Sequence, residues 1–359
     1  MINLDFFRNK NVLITGHTGF KGSWLSHILV NAGAKVTGVS LAPESNFNLF
    51  EILNLDKRMC SIIGDITDLT LLTRVFDKVK PEIVFHLAAQ PLVRESYQNP
   101  VQTYQTNVMG TVNILECIRN SNSVKSFLNV TTDKVYRNRE WEWGYRENEE
   151  LCGYDPYSNS KSCSELVTYS YINSFFTDRD IALSTARAGN VIGGGDFATD
   201  RIVPDCFKAA SQKTSILIRN PHSIRPYQHV LEPLMAYLFI AQKQYGNKEF
   251  AGSYNIGPDE VDCVSTGTLV ELFCQSWRKY DGTCITWEHK NDGGPHEANF
   301  LKLDCNRFKT RYRWRPVWHI DMAVDKTVEW YWAYANGKDV EKIMNQQLDE
   351  YIEGVNDEF

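Results

Sequence analysis

"NVLITGHTGFKG", residues 11–22, joins an apolar, β-branched run to a turn in which Gly16, Gly19 and Gly22 recur at every third position. The run reads as a buried strand, and residues 20–33 continue with helix-like spacing of apolar side chains. Glycines placed between a strand and a helix let the backbone bend tightly and approach a pyrophosphate, whose charge the amides at the helix amino terminus can meet. The spacing is G-x-x-G-x-x-G rather than G-x-G-x-x-G, so its position after the first strand gives it weight.

Working outward, further apolar runs begin at 35 ("KVTGVS"), 61 ("SIIGD"), 82 ("EIVFHLAA"), 124 ("VKSFLNVTT") and 181 ("IALSTARAG"). Helix-like spacing fills 67–79, 100–121 and 156–176, with Pro100 and Pro156 suited to first helical turns. This rhythm predicts an α/β fold, a Rossmann-type doubly wound parallel sheet over residues 1–188. Beyond it, glycines and prolines cluster in "GNVIGGGDF" and "RNPHSIRPYQHV", and strand and helix signals alternate irregularly. Residues 189–359 are expected to form a smaller mixed α/β domain, mainly for substrate, with a boundary open to interleaving with the sheet.

The 359 residues are 43% hydrophobic and 23% charged, enough for a large core. Thirty-eight basic and 44 acidic residues leave a net charge of -6, which favours small-molecule partners over nucleic acid or an anionic membrane. Nine cysteines without a C-x-x-C pair predict reduced thiols in a cytoplasmic protein. The amino terminus enters a strand at once, and no apolar run is long enough to span a bilayer. The histidines lack metal-ligand spacing, so no metal is expected.

Several positions could carry chemistry. The second strand ends at Ser40, where a carboxylate for the adenosine ribose is usual, so NAD and NADP both remain open. Asp65 is placed to meet an adenine or to cap the next helix. Tyr157 and Lys161 stand four residues apart on one helix face, where a lysine cation could favour phenolate and make the phenol a base; the same spacing also occurs in purely structural helices. Thr131 and Thr132, ending the fifth run, could hydrogen-bond a sugar hydroxyl that Tyr157 deprotonates. Asp133 and Lys134 follow, either as a solvated turn or at the sheet edge that holds ligands. On a straight strand they would point to opposite faces, so joint action requires a turn. In "IRPYQHV", Arg225 suits a diphosphate, or is an ordinary surface arginine.

These motifs together resemble a family. "GHTGFKG", "GDITD", "VFHLAAQ", "TNVMGT", "TTDKVY", "YDPYSNSK" and "RAGNVIGGGD" fall in the order and spacing of the extended short-chain dehydrogenase/reductases, and among them of the nucleotide-sugar 4,6-dehydratases. Most members of that group carry Asp then Glu after the threonine. The Asp133–Lys134 pair, with "EWEWGYRENEELCGYDPYS" before the tyrosine, looks most like the branch acting on CDP-D-glucose. The resemblance implies NAD held by Gly16, Thr18, Gly19, Phe20, Gly22, Ser40, Asp65, Ile66, Leu87, Ala88, Ala89, Gln90, Thr131, Tyr157 and Lys161. It implies catalysis by Thr132, Asp133 (acid), Lys134 (base), Tyr157 and Lys161, and a nucleotide sugar held by Arg94, Asn190, Arg225, His229 and His296. Holding Asp133 protonated beside a neutral Lys134 would cost roughly 9 kcal/mol in water, so a simple ion pair, or a lysine that only stabilises charge, stays open. The implied assembly is a homodimer or higher, and the implied role is deoxysugar biosynthesis. Other readings are another nucleotide-sugar dehydratase, an epimerase, or a cofactor-sensing protein without turnover.

Overall fold

The computed structural model describes residues 2–43, 47–290 and 300–357. The six apolar runs form β1 (Asn11–Thr15), β2 (Lys35–Ser40), β3 (Cys60–Ile63), β4 (Ile83–His86), β5 (Ser126–Val130) and β6 (Ala182–Ala188). They build one parallel sheet in the order β3-β2-β1-β4-β5-β6, and a seventh strand, Ser253–Ile256, pairs beside β6. This is the doubly wound arrangement read from the sequence. Strand order reverses between β1 and β4, so a crevice for ligands opens at their carboxyl ends.

Successive strand side chains alternate between faces. Leu13, Val39, Val84, Phe127 and Leu183 pack on one face with Leu72 and Ile114 from the helices Leu69–Val79 and Gly110–Asn120. Val12, Ile14, Val36, Phe85, Leu128 and Val130 pack on the other with Trp24 and Leu25 of the helix Phe20–Asn31. Both faces are covered, so the strands read as continuous apolar runs.

Two helices differ from simple expectation. The 100–121 segment is α-helical at Pro100–Tyr104, widens to a π turn at Gln105–Met109, and resumes at Gly110. The tyrosine helix, Pro156–Tyr171, likewise ends in a π turn at Ile172–Phe176. Beyond residue 188 the chain contributes to two bodies. The helix Leu231–Gly246 lies against β5 and β6 and carries the chain to the seventh strand. The remainder forms short pairs, Ile224–Pro226 with Cys263–Ser265 and Ile216–Ile218 with Trp287–His289, packed with helices such as Ile202–Gln212 and Ile320–Ala335.

Four histidines are buried, His17, His27, His86 and His229, and burial lowers the pKa of each. His86 bonds Thr15 and Thr111, and burial, then the charge of Lys161, pushes its pKa down to about 3. His229 is 0% exposed, 4.7 Å from the ring of Trp318, and burial pushes it down to about 3. His17, between Ser61 and Phe50, is pushed by burial to about 4. Below an ordinary imidazole pKa of about 6.5 the unfolded chain binds protons that the folded chain refuses, so this contribution is complete above that pH and is lost as pH falls. We expect unfolding free energy to drop between pH 6.5 and 5, with a limiting slope of ~1.4 kcal/mol per pH unit for each imidazole. Urea titrations across this range should show the acid limb flattened in His229→Phe; an unchanged limb would remove His229 from the account.

Candidate active site

The glycine turn comes first. Gly16 has φ +78°, and a Cβ there would lie 2.7 Å from the Ala88 amide, so only glycine lets β1 end against the loop after β4. A Cβ on Gly22 would lie 2.0 Å from the Gly16 carbonyl, so the helix can seat on the turn only without one. At Gly19, by contrast, a Cβ would meet nothing nearer than the Gly16 carbonyl at 3.5 Å. The protein itself does not demand that glycine, yet Gly19 is the helix N-cap and offers no side-chain cap to the amides behind it. A bare backbone before uncapped amides fits a pyrophosphate.

Around this cradle, Thr18 Oγ1 bonds Ser40 Oγ at 2.8 Å and donates to the Leu41 carbonyl at 3.0 Å, so the ribose position carries a neutral hydroxyl pair. Asp65 is exposed and its Oδ1 accepts from the Thr67 amide, while Asp68 caps the helix, so the capping reading of Asp65 is corrected. Ile66 is buried. In the loop after β4, the Leu87 and Ala88 amides bond Thr15, Ala89 is half-buried, and the Gln90 amide donates to Asn107 at 2.8 Å. Asn107, inside the π turn, also donates to Ser160 of the tyrosine helix at 2.8 Å. Phe20, half-buried, opens the helix after the turn.

At the end of β5 the chain turns at once: Asp133–Val135 is a single 3-10 turn, with the Lys134 amide donating to Thr132 Oγ1 at 3.4 Å. The turn removes the strand alternation that would have separated Asp133 from Lys134. Asp133 is 2% exposed; its Oδ1 accepts from Thr132 at 2.9 Å, and its Oδ2 has no partner among the described residues. Neither carboxylate oxygen takes a hydrogen bond from Lys134, although the charge of Lys134 acts on Asp133. Burial raises the Asp133 pKa, opposed by Lys134, Thr132 and Arg225. Tyr157 reaches Thr132 with its phenol.

The two threonines part ways, as strand neighbours should. Thr132 faces Tyr157, whereas Thr131 Oγ1 donates to buried Glu165 at 2.5 Å, so the expectation that both threonines meet a sugar hydroxyl is corrected. Lys161 is buried on the same helix as Tyr157. Its Nζ donates to the Val130 carbonyl at 3.1 Å, and burial, then Lys21, pushes its pKa down to about 7. Burial pushes Tyr157 up to about 12; Thr132 and Arg201 oppose, Asp133 and Asp155 reinforce. Among the charges that act on the phenol, that of Arg201, paired with Asp196 at 3.0 Å, favours phenolate.

Arg225 is buried on the Ile224–Pro226 strand, donates to the Ile224 carbonyl at 2.9 Å, and its charge reaches Asp133. Asn190 is half-buried and its carbonyl accepts from the Gln228 amide; Arg94 lies half-buried on the helix Val93–Gln98. His229 sits in the aromatic core between Trp318 and Trp24, which contradicts its expected contact with substrate. His296 lies outside the described residues. No group of three or more His, Cys, Asp or Glu among the described residues could hold a metal ion. Sequence reasoning missed Lys21, whose pKa burial and Arg201 lower to about 8 against the pull of Asp133 and Asp196, although it lies inside the glycine motif. It also missed Glu165, although that residue continues the Tyr157–Lys161 face by one helical turn.

The model of the family described as GDP-mannose 4,6 dehydratase matches residues 13–327. The chain is 45% identical over 358 residues to the CDP-glucose 4,6-dehydratase of Salmonella typhimurium, with 98% of this chain and 99% of that one covered. Among solved structures it is similar to dTDP-glucose 4,6-dehydratase from Bacillus anthracis in complex with NAD, at TM-score 0.76 and 20% identity, covering 91% of this chain and 97% of that one. It is also similar to UDP-glucose 4-epimerase from Thermotoga maritima with UDP-glucose, at TM-score 0.76 and 21% identity, covering 90% and 99%. At such identities these structures bear on the fold alone.

The cradle makes a separable prediction. Gly19→Ala should keep the thermal midpoint of the parent and weaken NAD binding at least tenfold, whereas Gly22→Ala should lower both stability and binding. Calorimetric titration with NAD beside a thermal scan decides it; unimpaired NAD affinity in Gly19→Ala would move the pyrophosphate off this turn.

Proposed function

The chain belongs to the GDP-mannose 4,6-dehydratase family, and on that premise we propose that it is an NAD-dependent CDP-glucose 4,6-dehydratase, converting CDP-D-glucose to CDP-4-keto-6-deoxy-D-glucose and water. The observation that carries the reading is the Asp133 carboxyl: dry, with one oxygen unpartnered among the described residues, raised in pKa by burial, next to Lys134 and one hydrogen bond from the threonine that meets Tyr157. An epimerase needs a base and a hydride carrier. A dehydratase needs in addition an acid that gives a proton to a leaving hydroxyl, and a buried carboxyl suits that task.

Tyr157 takes the proton of the sugar's 4-hydroxyl, with Thr132 orienting that oxygen. The resulting ketone acidifies the proton on carbon 5, which Lys134 removes, while Asp133 protonates the departing 6-hydroxyl, so the C5–H and C6–O bonds break and water leaves; Lys134 returns its proton to carbon 5 when carbon 6 is reduced. Bound in the glycine cradle, NAD supplies a hydride acceptor for carbon 4 and donor for carbon 6, so net oxidation is zero. Lys161 holds the end of β5, and Arg225, with Asn190 and Arg94, receives the nucleotide diphosphate. Nine free cysteines support a reducing, cytoplasmic location, and a 4-keto-6-deoxy product suits deoxysugar biosynthesis, including sugars of the O-antigen type.

Assembly follows from the outer faces of the two segments that contain π turns. Val101 and Tyr169 are each 69% exposed, and Met109, Leu166 and Phe175 are exposed beside them in sequence and periodicity. Exposed apolar side chains on two helices support a homodimer that buries both. Light scattering at micromolar concentration should give a dimer for the parent and a monomer for the double variant Leu166→Asp, Tyr169→Asp. A monomeric parent would refute this assembly.

Incubation with CDP-D-glucose and NAD should yield a 4-keto sugar, read as absorbance after alkaline treatment. Tyr157→Phe should abolish it. Lys134→Ala should oxidise carbon 4 and stop there, accumulating bound NADH without exchange of the carbon 5 proton into deuterated solvent. Asp133→Asn should stall but still exchange. Parent-like exchange in Lys134→Ala would take the base away from Lys134.

A further inference from the structure

We infer that the buried Glu165–Arg187 ion pair is a positioning clamp, holding both ends of the acid–base turn against the helix that carries Tyr157 and Lys161. At the turn's entry, Thr131 Oγ1 donates to Glu165 Oε1 at 2.5 Å. At its exit, Arg187 donates to the Tyr136 hydroxyl at 2.7 Å, with the guanidinium carbon 5.1 Å from the centre of that ring. Between them, Arg187 and Glu165 meet at 2.8 Å, and Thr185 donates to the same carboxylate oxygen at 2.7 Å. Only residues 132–135 lie between the two pins, and these include Asp133 and Lys134.

The tyrosine helix reinforces the same loop twice more. Lys161 donates to the Val130 carbonyl at 3.1 Å and Ser162 to the Val135 carbonyl at 2.7 Å. The far side of the clamp is anchored to the seventh strand: the Tyr136 hydroxyl donates to Asn255 Oδ1 at 2.6 Å, and the Asn255 amide donates to Glu147 at 2.9 Å. Arg187 also donates to the Glu147 carbonyl at 3.0 Å. Glu165 and Arg187 do not reach the site cavity: their side chains are 2% and 3% exposed. They act through the turn, and the step that depends most on the turn is elimination, because it uses Asp133 and Lys134 together. Oxidation at carbon 4 draws on the turn only through Thr132, which follows directly on the Thr131 pin that Tyr136→Phe leaves in place; Tyr157 is positioned by its own helix.

Resting on the dehydratase reading above, this role separates two half-reactions. Tyr136→Phe deletes one hydroxyl and keeps the ring, so it should fold. In single turnover with CDP-D-glucose it should form NADH within threefold of the parent rate, eliminate water at least tenfold more slowly, and so accumulate NADH. Glu165→Gln should show the same split if it folds. Hydrogen exchange followed by mass spectrometry reads the clamp without substrate: amides of 131–136 should exchange at least tenfold faster in Tyr136→Phe, with β1 and β4 unchanged. Equal slowing of both half-reactions, or unchanged exchange across 131–136, overturns the clamp. A parent enzyme that forms no ketone overturns the dehydratase reading instead, and exchange alone then decides the clamp.

Discussion

The Glu165–Arg187 pair sits where the sheet can least accommodate charge. Taking a carboxylate and a guanidinium out of water costs several kcal/mol for each ion, repaid only when geometry and hydrogen bonding are nearly complete. Here the carboxylate accepts from Thr131, Thr185 and Arg187, so its lone pairs are well used. Those donors come from the end of β5 and from β6, and Tyr136 and Asn255 extend the network to the seventh strand. Losing either charged partner would strand the other at a cost of about 3–5 kcal/mol, so the four elements keep one relative arrangement. The irregular backbone at 131–136 inherits that arrangement.

Much of the fold was legible because a sheet covered on both faces needs uninterrupted apolar strands, and the six runs supplied them. The seventh strand, "SYNI", was not, because Ser253 and Asn255 interrupt its apolar run and it is remote from the rest in sequence. The π turns at 105–109 and 172–176 were invisible because their side chains keep a helical spacing; the widened turn shows only in the backbone. The glycine turn was legible residue by residue, since steric demand at Gly16 and Gly22 is written into their identity.

The site was legible as a set of residues and less so as a set of directions. Thr131 and Thr132 look interchangeable in sequence, but alternation at a strand end sends one to Glu165 and the other to Tyr157. His229 looks like a ligand in a glycine- and proline-rich stretch, yet its ring is enclosed by Trp318 and Trp24, both far away in sequence. Lys161 was correctly placed on the tyrosine's face, but proximity along a helix does not say which acceptor a long side chain reaches. The backbone carbonyl of Val130 claims it, and burial with Lys21 nearby makes it a weak cation.

The energetic objection to an Asp–Lys acid–base pair is eased by where the fold puts each member. In water both groups resist the needed protonation states, by roughly 9 kcal/mol together. The turn seats Asp133 on the dry side, 2% exposed, with burial favouring its neutral acid form, and leaves Lys134 half-buried. The charges of Lys134 and Arg225 oppose that protonation, so the balance at Asp133 depends on what covers Arg225. A diphosphate bound at Arg225 would neutralise one of those cations and weaken its pull on the Asp133 proton. In the proposed reaction, substrate binding therefore shifts Asp133 toward the protonated form that elimination requires, and the acid is prepared by the molecule it acts on.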